Sequence, residues 1–320
     1  MISFIIIGKN EGFKLSLCIN SIITYINTWG IIKYEIIYVD SQSTDGSIET
    51  VLKLNKNIIV AKLTANCNAA IARNTGAFLS KGTILFFIDG DMVLDAQNNF
   101  FQGEIDLDKF LLLSGQIENI IYDNDFNQIL EKQYYYPNLT KDKTEFFFGG
   151  LFIISRFLWD SVGGMRTEFK YGEDLDLSIR LSKKRHFLTR KCKVLAYHHT
   201  TQRPFSLRLL IAGAMYSRGL LYRKNFFNFY SAIRVLKSDP TTLSLLFCTL
   251  LSFTFDSYYF MFLHCAILIA AIVTLGEKSL SAFATRLFSQ IIRDFAVILS
   301  FLFFFPKKRK LNFILIDNQL

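Results

Sequence analysis

Short apolar runs alternate with helix-patterned segments over the first ninety residues of this chain, and that alternation limits the fold more than any other feature. The runs are rich in β-branched residues and lie at Ser3–Ile7, Tyr34–Val39, Ile58–Leu63 and Thr83–Ile88. Between them, apolar residues recur at helical spacing in Leu15–Tyr25, Ile48–Leu54 and Ala69–Ser80. Continuously apolar strands separated by helices are typical of a parallel sheet buried on both faces. We therefore predict an α/β fold of the nucleotide-binding type.

The pattern after the fourth run is less regular. It predicts a strand pair within Leu111–Ile121, strands at Phe146–Ile154 and Leu188–Ala196, and helices at Asp123–Tyr136, Leu158–Val162 and Leu175–Lys183.

The last third of the chain has a different composition. Leu243–Leu275 is apolar, with Asp256 and His264 as its strongly polar interruptions, and a second apolar piece at Phe295–Phe305 precedes the basic cluster Lys307–Lys310. Such lengths predict two membrane spans or a membrane hairpin, and an in-plane amphipathic arrangement remains open. The expected domains are residues 1–203 (catalytic), 204–240 (basic, membrane-proximal) and 241–320 (hydrophobic, helical).

The distribution of charge along the chain also indicates a membrane environment. The net charge is +9, and the segment from Arg180 to Lys237 holds fourteen Lys or Arg and no Asp or Glu. Because this segment precedes the apolar tail, it indicates contact with anionic lipid headgroups, ranked above contact with nucleic acid. The five widely spaced cysteines form no CxxC pair, and the short apolar N-terminus has no basic flank. We expect a catalytic domain that faces the cytoplasm at the inner (cytoplasmic) membrane.

Two carboxylates one residue apart, Asp89 and Asp91, directly follow the fourth apolar run. The carboxyl end of a strand is where open α/β sheets bind ligands, and ionised oxygens at this spacing suit Mg2+ or Mn2+ beside a phosphate. The alternative is an acidic turn, since Asp-Gly favours tight turns.

Five motifs that follow one another along the chain favour the metal-site interpretation of Asp89 and Asp91 over the acidic turn. They are Ile5–Glu11 (IIIGKNE), Val39–Gly46 (VDSQSTDG), Ala72–Gly76 (ARNTG), Phe87–Met92 (FIDGDM) and Tyr171–Leu177 (YGEDLDL). In order and spacing, roughly residues 1–200 resemble the family 2 glycosyltransferases of the GT-A fold. The resemblance implies an inverting, metal-dependent enzyme that uses a nucleotide-diphosphate sugar as donor, with Mn2+ or Mg2+ as cofactor.

The resemblance also implies roles for individual residues. Asp91 is the expected metal ligand, Asp89 the ligand through water or the ribose contact, and His198 the third ligand, with His199 as the other candidate. Asp174 is the expected base, and Glu173 orients the acceptor or its loop, whereas Asp176 is expected on the helix surface. The remaining nucleotide-sugar contacts are expected at Ile7, Lys9, Asn10, Asp40, Arg73 and Gly90.

Two departures from the family pattern matter. The first loop reads Gly8-Lys9-Asn10 where many members carry Thr or Ser and an aromatic residue, and the Gln-x-x-Arg-Trp element of processive synthases is missing. The second departure favours transfer of one sugar to a lipid-linked or polysaccharide-precursor acceptor. A polyprenyl-phosphate sugar synthase and an inactive membrane scaffold are the alternatives.

Overall fold

The chain divides into two compact units. The computed structural model describes residues 1–54, 57–65, 67–101, 110–202, 205–274, 276 and 279–316. The first unit comprises Met1–Pro204 together with Lys308–Leu320, and the second comprises Phe205–Lys307.

The described strands of the first unit form one mixed sheet. In chain order they are β1 (Ile2–Gly8), β2 (Tyr34–Asp40), β3 (Ile59–Leu63), β4 (Ile84–Asp89), β5 (Met92–Leu94), β6 (Leu112–Tyr122), β7 (Ile129–Tyr134), β8 (Lys143–Glu145), β9 (Phe152–Ser155), β10 (Leu188–Thr201) and β11 (Phe313–Ile316). Their order across the sheet is β11-β3-β2-β1-β4-β9-β6-β10-β5, with β7 on β6 and β8 on β10. Strands β3, β2, β1 and β4 run parallel, as the sequence predicts, and β9 and β11 run antiparallel to their neighbours.

Both faces of the parallel strands are covered. The helices of this unit are α1 (Phe13–Thr28), α2 (Ser47–Leu54), α3 (Ala69–Leu79), α4 (Arg156–Ser161) and α5 (Glu173–Lys183). Alternate β1 residues divide between two cores: Phe4 and Ile6 pack with α1, and Ile5 packs with α3. Helix α3 lies so close to the sheet that a Cβ at Gly76 would be 2.2 Å from the Ile5 side chain. The predicted α/β fold with a doubly covered sheet is confirmed.

Three predicted elements of the middle region differ. The segment predicted as a helix at Asp123–Tyr136 contains β7, which forms an antiparallel hairpin with β6. All six β7 residues are exposed, so the strand carries no apolar alternation by which to recognise it. Of the strand predicted at Phe146–Ile154, the structure has the four-residue β9, and β10 extends five residues beyond its predicted end at Ala196.

The second unit is helical. Helix α6 (Leu207–Ala214) continues through a π-helical stretch (Met215–Leu220) into α7 (Leu221–Lys224). Four further helices follow, namely α8 (Phe229–Ser238), α9 (Pro240–Thr254), α10 (Tyr259–Val273) and α11 (Leu280–Phe303). Buried polar groups interrupt the apolar pattern: Asp239 pairs with Arg218, and Asp294 accepts from the hydroxyl groups of Thr241 and Thr242.

The prediction of membrane-spanning segments meets a contrary finding in this unit. Among the described residues, no helix has both the length and the apolar character that crossing a bilayer requires. Helices α9 and α10 have 15 residues each, and the 24-residue α11 carries Arg286, Arg293 and Asp294.

The chain returns to the first unit after α11. Strand β11 lies in the region predicted to belong to the hydrophobic tail, but it pairs antiparallel with β3. The preceding basic segment is held by Thr167, whose hydroxyl donates to the Arg309 carbonyl at 2.7 Å and accepts from the Arg309 N–H at 2.9 Å.

Candidate active site

The strand register brings three loop starts to one edge of the sheet. Gly8 of β1 lies opposite Asp40 of β2, and Ile7 lies opposite Asp89 of β4. Because these strands are parallel, their carboxyl ends open on the same side, where a cavity of about 600 Å³ forms. Its wall includes Ile7, Lys9, Arg73, Asp89, Asp91, Glu173 and Asp174. Seven residues predicted from the sequence thus meet in one cavity.

Arg73 occupies the centre of this group. It projects from α3, is 2% exposed, and donates to Glu173 at 2.9 Å and to Asp89 at 2.7 Å. It therefore links the end of β4 to the start of α5. At Gly150, an added Cβ would lie 2.4 Å from the Arg73 Nη2 atom, so a residue without a side chain is needed beside the guanidinium.

The two acids at the start of α5 share one environment. Gly172 precedes them with φ of 76°, in the left-handed region that glycine adopts readily, and this turns the chain into the helix. Burial and the neighbouring Asp174 carboxylate raise the pKa of Glu173 to about 7, against the opposing effect of Arg73. Burial also raises the pKa of Asp174, again opposed by Arg73. A carboxylate with a raised pKa is a better proton acceptor near neutral pH.

The pair Asp91 and His198 forms the other side of the site. Strand β10 places His198 opposite Met92, and the His198 Nε2 atom lies 3.3 Å from the Asp91 carboxylate. The His198 Nδ1 atom lies 2.9 Å from the Asn119 amide oxygen. Burial opposes the charge of Asp91, but the hydrogen bond and charge of His198 outweigh it and lower the pKa of Asp91.

His199, the other histidine of the predicted pair, has a structural environment. It is 8% exposed, its ring lies 2.9 Å from the Tyr122 hydroxyl, and its backbone N–H donates to the Asp91 carbonyl. Burial lowers the pKa of His199. Of the two histidines, His198 is the one that faces a predicted metal ligand.

The donor atoms at Asp91 and His198 fit a divalent cation. The Asp91 Oδ1 atom is buried and has no hydrogen-bond partner among the described residues. A cation bound here would replace the His198–Asp91 hydrogen bond, with the His198 Nε2 atom and the Asp91 carboxylate as its ligands. Within the described part of the chain, no three His, Cys, Asp or Glu side chains form a metal cluster. Ligand oxygens would have to complete the coordination of an ion at this pair.

The first loop is braced against the second. The Asn10 backbone N–H donates to the Ser43 hydroxyl at 2.9 Å, and the Asn10 side chain accepts from the Thr44 N–H at 2.8 Å. Gly90 donates its N–H to the Ile7 carbonyl at 2.8 Å and so keeps the start of the Asp89–Asp91 turn close to β1. Asn10 and Gly90, both predicted to contact the nucleotide sugar, are therefore engaged with the protein's own backbone.

Asp40 lies beneath the cavity. It is 0% exposed, and its carboxylate accepts from the Tyr38 hydroxyl at 3.0 Å and from the Ser43 N–H at 2.9 Å. These bonds shape the loop after β2. Its predicted contact with the nucleotide base stays a prediction.

The structure adds residues to which the sequence analysis assigned no role. Glu11, Cys67, Lys170 and Tyr171 line the cavity beside the predicted residues. Burial and the nearby Asp91 raise the pKa of Glu11, and Lys14 binds its carboxylate at 2.8 Å. Glu11 belongs to the first motif and precedes Gly12. An acidic residue beside a glycine turn at a strand end was the sequence signal that could have identified it as a cavity residue.

Asp176 corrects another prediction. The sequence places it on the helix surface, but it is 0% exposed, and Arg166 and Arg180 bind its two oxygens at 2.8 and 2.7 Å. It anchors α5 to the preceding loop rather than facing solvent.

Residues 3–160 match the family "Glycosyl transferase family 2". A 96-residue segment is 36% identical to the poly(ribitol-phosphate) beta-N-acetylglucosaminyltransferase TarP of Staphylococcus aureus (strain N315), covering 29% of this chain and 29% of TarP. The chain thus matches less than a third of that relative's length.

Two solved structures share the fold. The mannosyltransferase PcManGT of Pyrobaculum calidifontis, in complex with GDP-Man and Mn2+, superposes with a TM-score of 0.60 at 16% identity, covering 94% of this chain and 87% of that one. The S. aureus TarS 1–349 complex with UDP-GlcNAc gives 0.52 at 17% identity, covering 74% and 67%.

Replacement of the central arginine tests the electrostatics of the site. We expect Arg73→Met to lower the free energy of unfolding by about 3–5 kcal/mol, because it leaves buried carboxylates without their cation. Since the pKa of Glu173 is raised, its ionisation costs stability as pH rises through about 7. The loss should therefore be larger at about pH 8 than at about pH 5, as measured by urea denaturation.

Arg156→Met is the matched control. Arg156 donates to the carbonyls of Ala77, Ser80 and Gly82. Its replacement should lower the free energy of unfolding by a similar amount at both pH values, because it leaves no buried carboxylate without a cation. An equal, pH-independent loss in both variants would contradict the electrostatic role of Arg73.

Proposed function

From the glycosyltransferase family 2 domain that this chain carries at residues 3–160, we propose that the enzyme transfers one sugar, with inversion, from a nucleoside diphosphate sugar to an acceptor hydroxyl. One observation carries the proposal. A single cavity is lined by Asp91, which lies 3.3 Å from His198, and by the half-buried acid Asp174, whose pKa is raised by desolvation. Leaving-group stabilisation and proton removal are the two tasks that such a transfer requires.

Helix α5 carries the residue that would activate the acceptor hydroxyl. In an inverting transfer, one base removes the proton of the attacking hydroxyl as the sugar carbon changes configuration. Asp174 is the residue we assign to this task, because it lines the cavity and burial raises its pKa. One Asp174 oxygen accepts from the Leu175 N–H at 2.8 Å, which fixes the direction of the carboxylate. Glu173, the neighbouring residue on α5, is bound to Arg73, and the charge of Asp89 adds to burial in raising the pKa of Asp174.

The donor side falls to the loops at the ends of β1 and β4. Lys9 and the N-terminal end of α3, where Asn68 and Ala69 line the cavity, offer a positive charge and backbone N–H groups toward a diphosphate. Arg73 keeps Asp89 in place beneath that position.

A divalent cation, Mn2+ or Mg2+, is part of the proposal. Asp91 and His198 would hold it, with Asp89 close by. When bound, such an ion supplies positive charge to the diphosphate as the leaving group departs. The Mn2+ complex of PcManGT supports this assignment at the level of the shared fold.

For the acceptor we propose a phosphate-containing glycan polymer or its lipid-linked precursor. TarP is named for transfer to poly(ribitol-phosphate), and the matched segment is 36% identical to it. The sequence lacks the Gln-x-x-Arg-Trp element, which favours single-sugar decoration over chain extension.

We also propose that the second unit holds the enzyme at the cytoplasmic face of the inner membrane by lying in the plane of the interface. Its helices expose large apolar side chains: Phe247 is 62% exposed, Phe253 84% and Phe262 70%. Exposed apolar surface of this kind marks a site of interaction with lipid or protein.

The first experiment compares wild type with Asp174→Asn. Removal of a general base should lower kcat by about 10²–10⁴-fold. Binding of the nucleotide sugar, measured by titration calorimetry across a panel of UDP- and GDP-sugars with Mn2+, should stay within about threefold because the donor contacts remain. Asp125→Asn, the same change at an exposed position, should leave both quantities unaltered. A fully active Asp174→Asn enzyme would remove the assignment of the base, and a wild type that binds no nucleotide sugar would remove the proposed function.

The cation assignment is tested by binding. In His198→Ala, the increase in nucleotide affinity on adding Mn2+ should fall by about tenfold, because imidazole no longer contributes to the ion's coordination. His186→Ala, outside the cavity, is the control and should behave as wild type. An undiminished Mn2+ effect in His198→Ala would show that another group holds the ion.

Membrane binding is tested on the intact chain, because removing the C-terminal third would also remove β11 from the sheet. The triple variant with Phe247, Phe253 and Phe262 changed to Ser should float with liposomes about tenfold less than wild type, since its buried apolar area is smaller. The control changes three exposed apolar residues of the first unit, Ile32, Leu54 and Ile129, to Ser. Equal flotation of both variants would exclude this face as the membrane contact.

A further inference from the structure

The first unit contains a second and larger cavity, which we call the basic groove. Its volume is about 1010 Å³, against about 600 Å³ for the candidate active site. Helices α3 and α5 each contribute to both: Arg73 and Asp174 line the active site, whereas Phe78 and Arg180 line the groove. Its other lining residues come from α4, the loop that follows α4, and the segment before β11.

The groove carries positive charge that the protein does not neutralise. Its cations are Arg156, Arg166, Arg180, Lys308, Arg309 and Lys310. Arg166 and Arg180 share one carboxylate, that of Asp176, and Arg156 is bound by carbonyl and hydroxyl oxygens. Within the described residues, no carboxylate forms an ion pair with Lys308, Arg309 or Lys310, and Asp160 is the acid that lines the groove. The excess charge favours an anionic ligand.

The basic side chains are displayed from a fixed backbone. Thr167 holds the Arg309 backbone through two hydrogen bonds of 2.7 and 2.9 Å, and the Thr64 N–H donates to the Asn312 carbonyl at 2.9 Å. From there the chain enters β11. A preorganised array of cations loses less entropy on binding an anion than a free basic tail does.

Apolar and aromatic groups stand among these charges. Phe78 is 71% exposed, whereas Trp159 is 4% exposed and stacks on Phe87, so Phe78 is the aromatic side chain of the lining that is open to a ligand. Aromatic faces bind the apolar faces of sugars and polyols, and Lys and Arg bind phosphate. A ligand that offers both groups in repeating order is a phosphodiester-linked glycan or polyol polymer.

One loop borders both cavities. Met165, Arg166 and Thr167 line the groove, and Lys170, Tyr171 and Gly172 line the active site. We propose that the basic groove is a distal binding site for a phosphate-bearing polymeric acceptor, which it holds while another unit of the same polymer reaches Asp174. This inference rests on the proposed function for its ligand, but the groove's affinity for a polyanion can be measured without sugar transfer.

The test uses the charge-reversal variant Lys308→Glu with Lys310→Glu in the full chain. Both lysines are exposed, and neither is part of the active site. The control reverses two other exposed lysines of the first unit, Lys33→Glu with Lys53→Glu, and so matches the change in net charge. Thermal unfolding should show the two variants equally folded.

The first measurement is binding of inorganic polyphosphate, followed by calorimetry. The dissociation constant should rise about tenfold or more in the groove variant and within about twofold in the control, and the difference should shrink at high salt. Equal weakening in both variants would show a net-charge effect alone and would overturn the proposal. Because this measurement needs no donor or transfer, it stands even if the wild type transfers no sugar.

The second measurement concerns transfer itself. With long phosphate-bearing acceptors, the groove variant should show a raised KM and an unchanged kcat, and with a single-unit acceptor both constants should match wild type. An equal effect on short and long acceptors would overturn the distal site. Loss of binding to phosphatidylglycerol vesicles, compared with phosphatidylcholine vesicles, together with undiminished polyphosphate binding would identify a lipid contact instead and also contradict the proposal.

Discussion

The ion pairs of Arg73 are the interaction on which the active site depends. They join residues that are 16 and 100 positions away in the chain, Asp89 at the end of β4 and Glu173 at the start of α5. A buried guanidinium without carboxylates, or these carboxylates without it, would carry a large desolvation cost. The pairs therefore tie the end of β4 to the start of α5, which are the proposed donor and acceptor halves of the site. The same charge moderates the raised pKa values of Glu173 and Asp174 without removing the shift.

The sequence predicted the parts of the site that follow from strand ends. Asp40, Asp89 and Asp91 each come directly after a buried parallel strand, so their meeting at one sheet edge follows from the fold class. His198 was predicted through the family resemblance, and β10 brings it to Asp91 by pairing with β5. The ion-pair partners of Arg73 and Asp176 could not be predicted from the sequence. That Arg73 is a buried cation, and Asp176 a buried anion held by two arginines, depends on contacts across the fold that no local pattern carries.

The errors have physical causes as well. An exposed strand such as β7 has no buried face, so its polar and aromatic residues resemble those of an amphipathic helix. The C-terminal region is apolar on average, yet Asp239 and Asp294 are buried inside the second unit, where Asp239 pairs with Arg218 and the Asp294 Oδ1 atom accepts from Thr241 and Thr242. A mean hydropathy cannot distinguish such a packed helical unit with many exposed Phe residues from a bilayer-spanning segment, because both are rich in the same residue types.

Helices α3 and α5 border a cavity with an excess of carboxylates on one side and a cavity with an excess of cations on the other. On the side of the candidate active site, Arg73 interacts with three carboxylates, those of Asp89, Glu173 and Asp174. The pKa values of Glu173 and Asp174 are raised there. Toward the basic groove, Asp176 binds both Arg166 and Arg180, and within the described parts of the chain no ion pair neutralises Lys308, Arg309 or Lys310. Because Asp176 follows Asp174 by two residues in the same helical turn, Arg166 and Arg180 help to fix the position of the helix that bears the proposed base. A polyanion that competes with Asp176 for Arg166 would loosen this anchor. The exposed Lys308 and Lys310 would offer such a ligand contacts that leave this anchor intact, so the proposed acceptor site and the proposed base can act together.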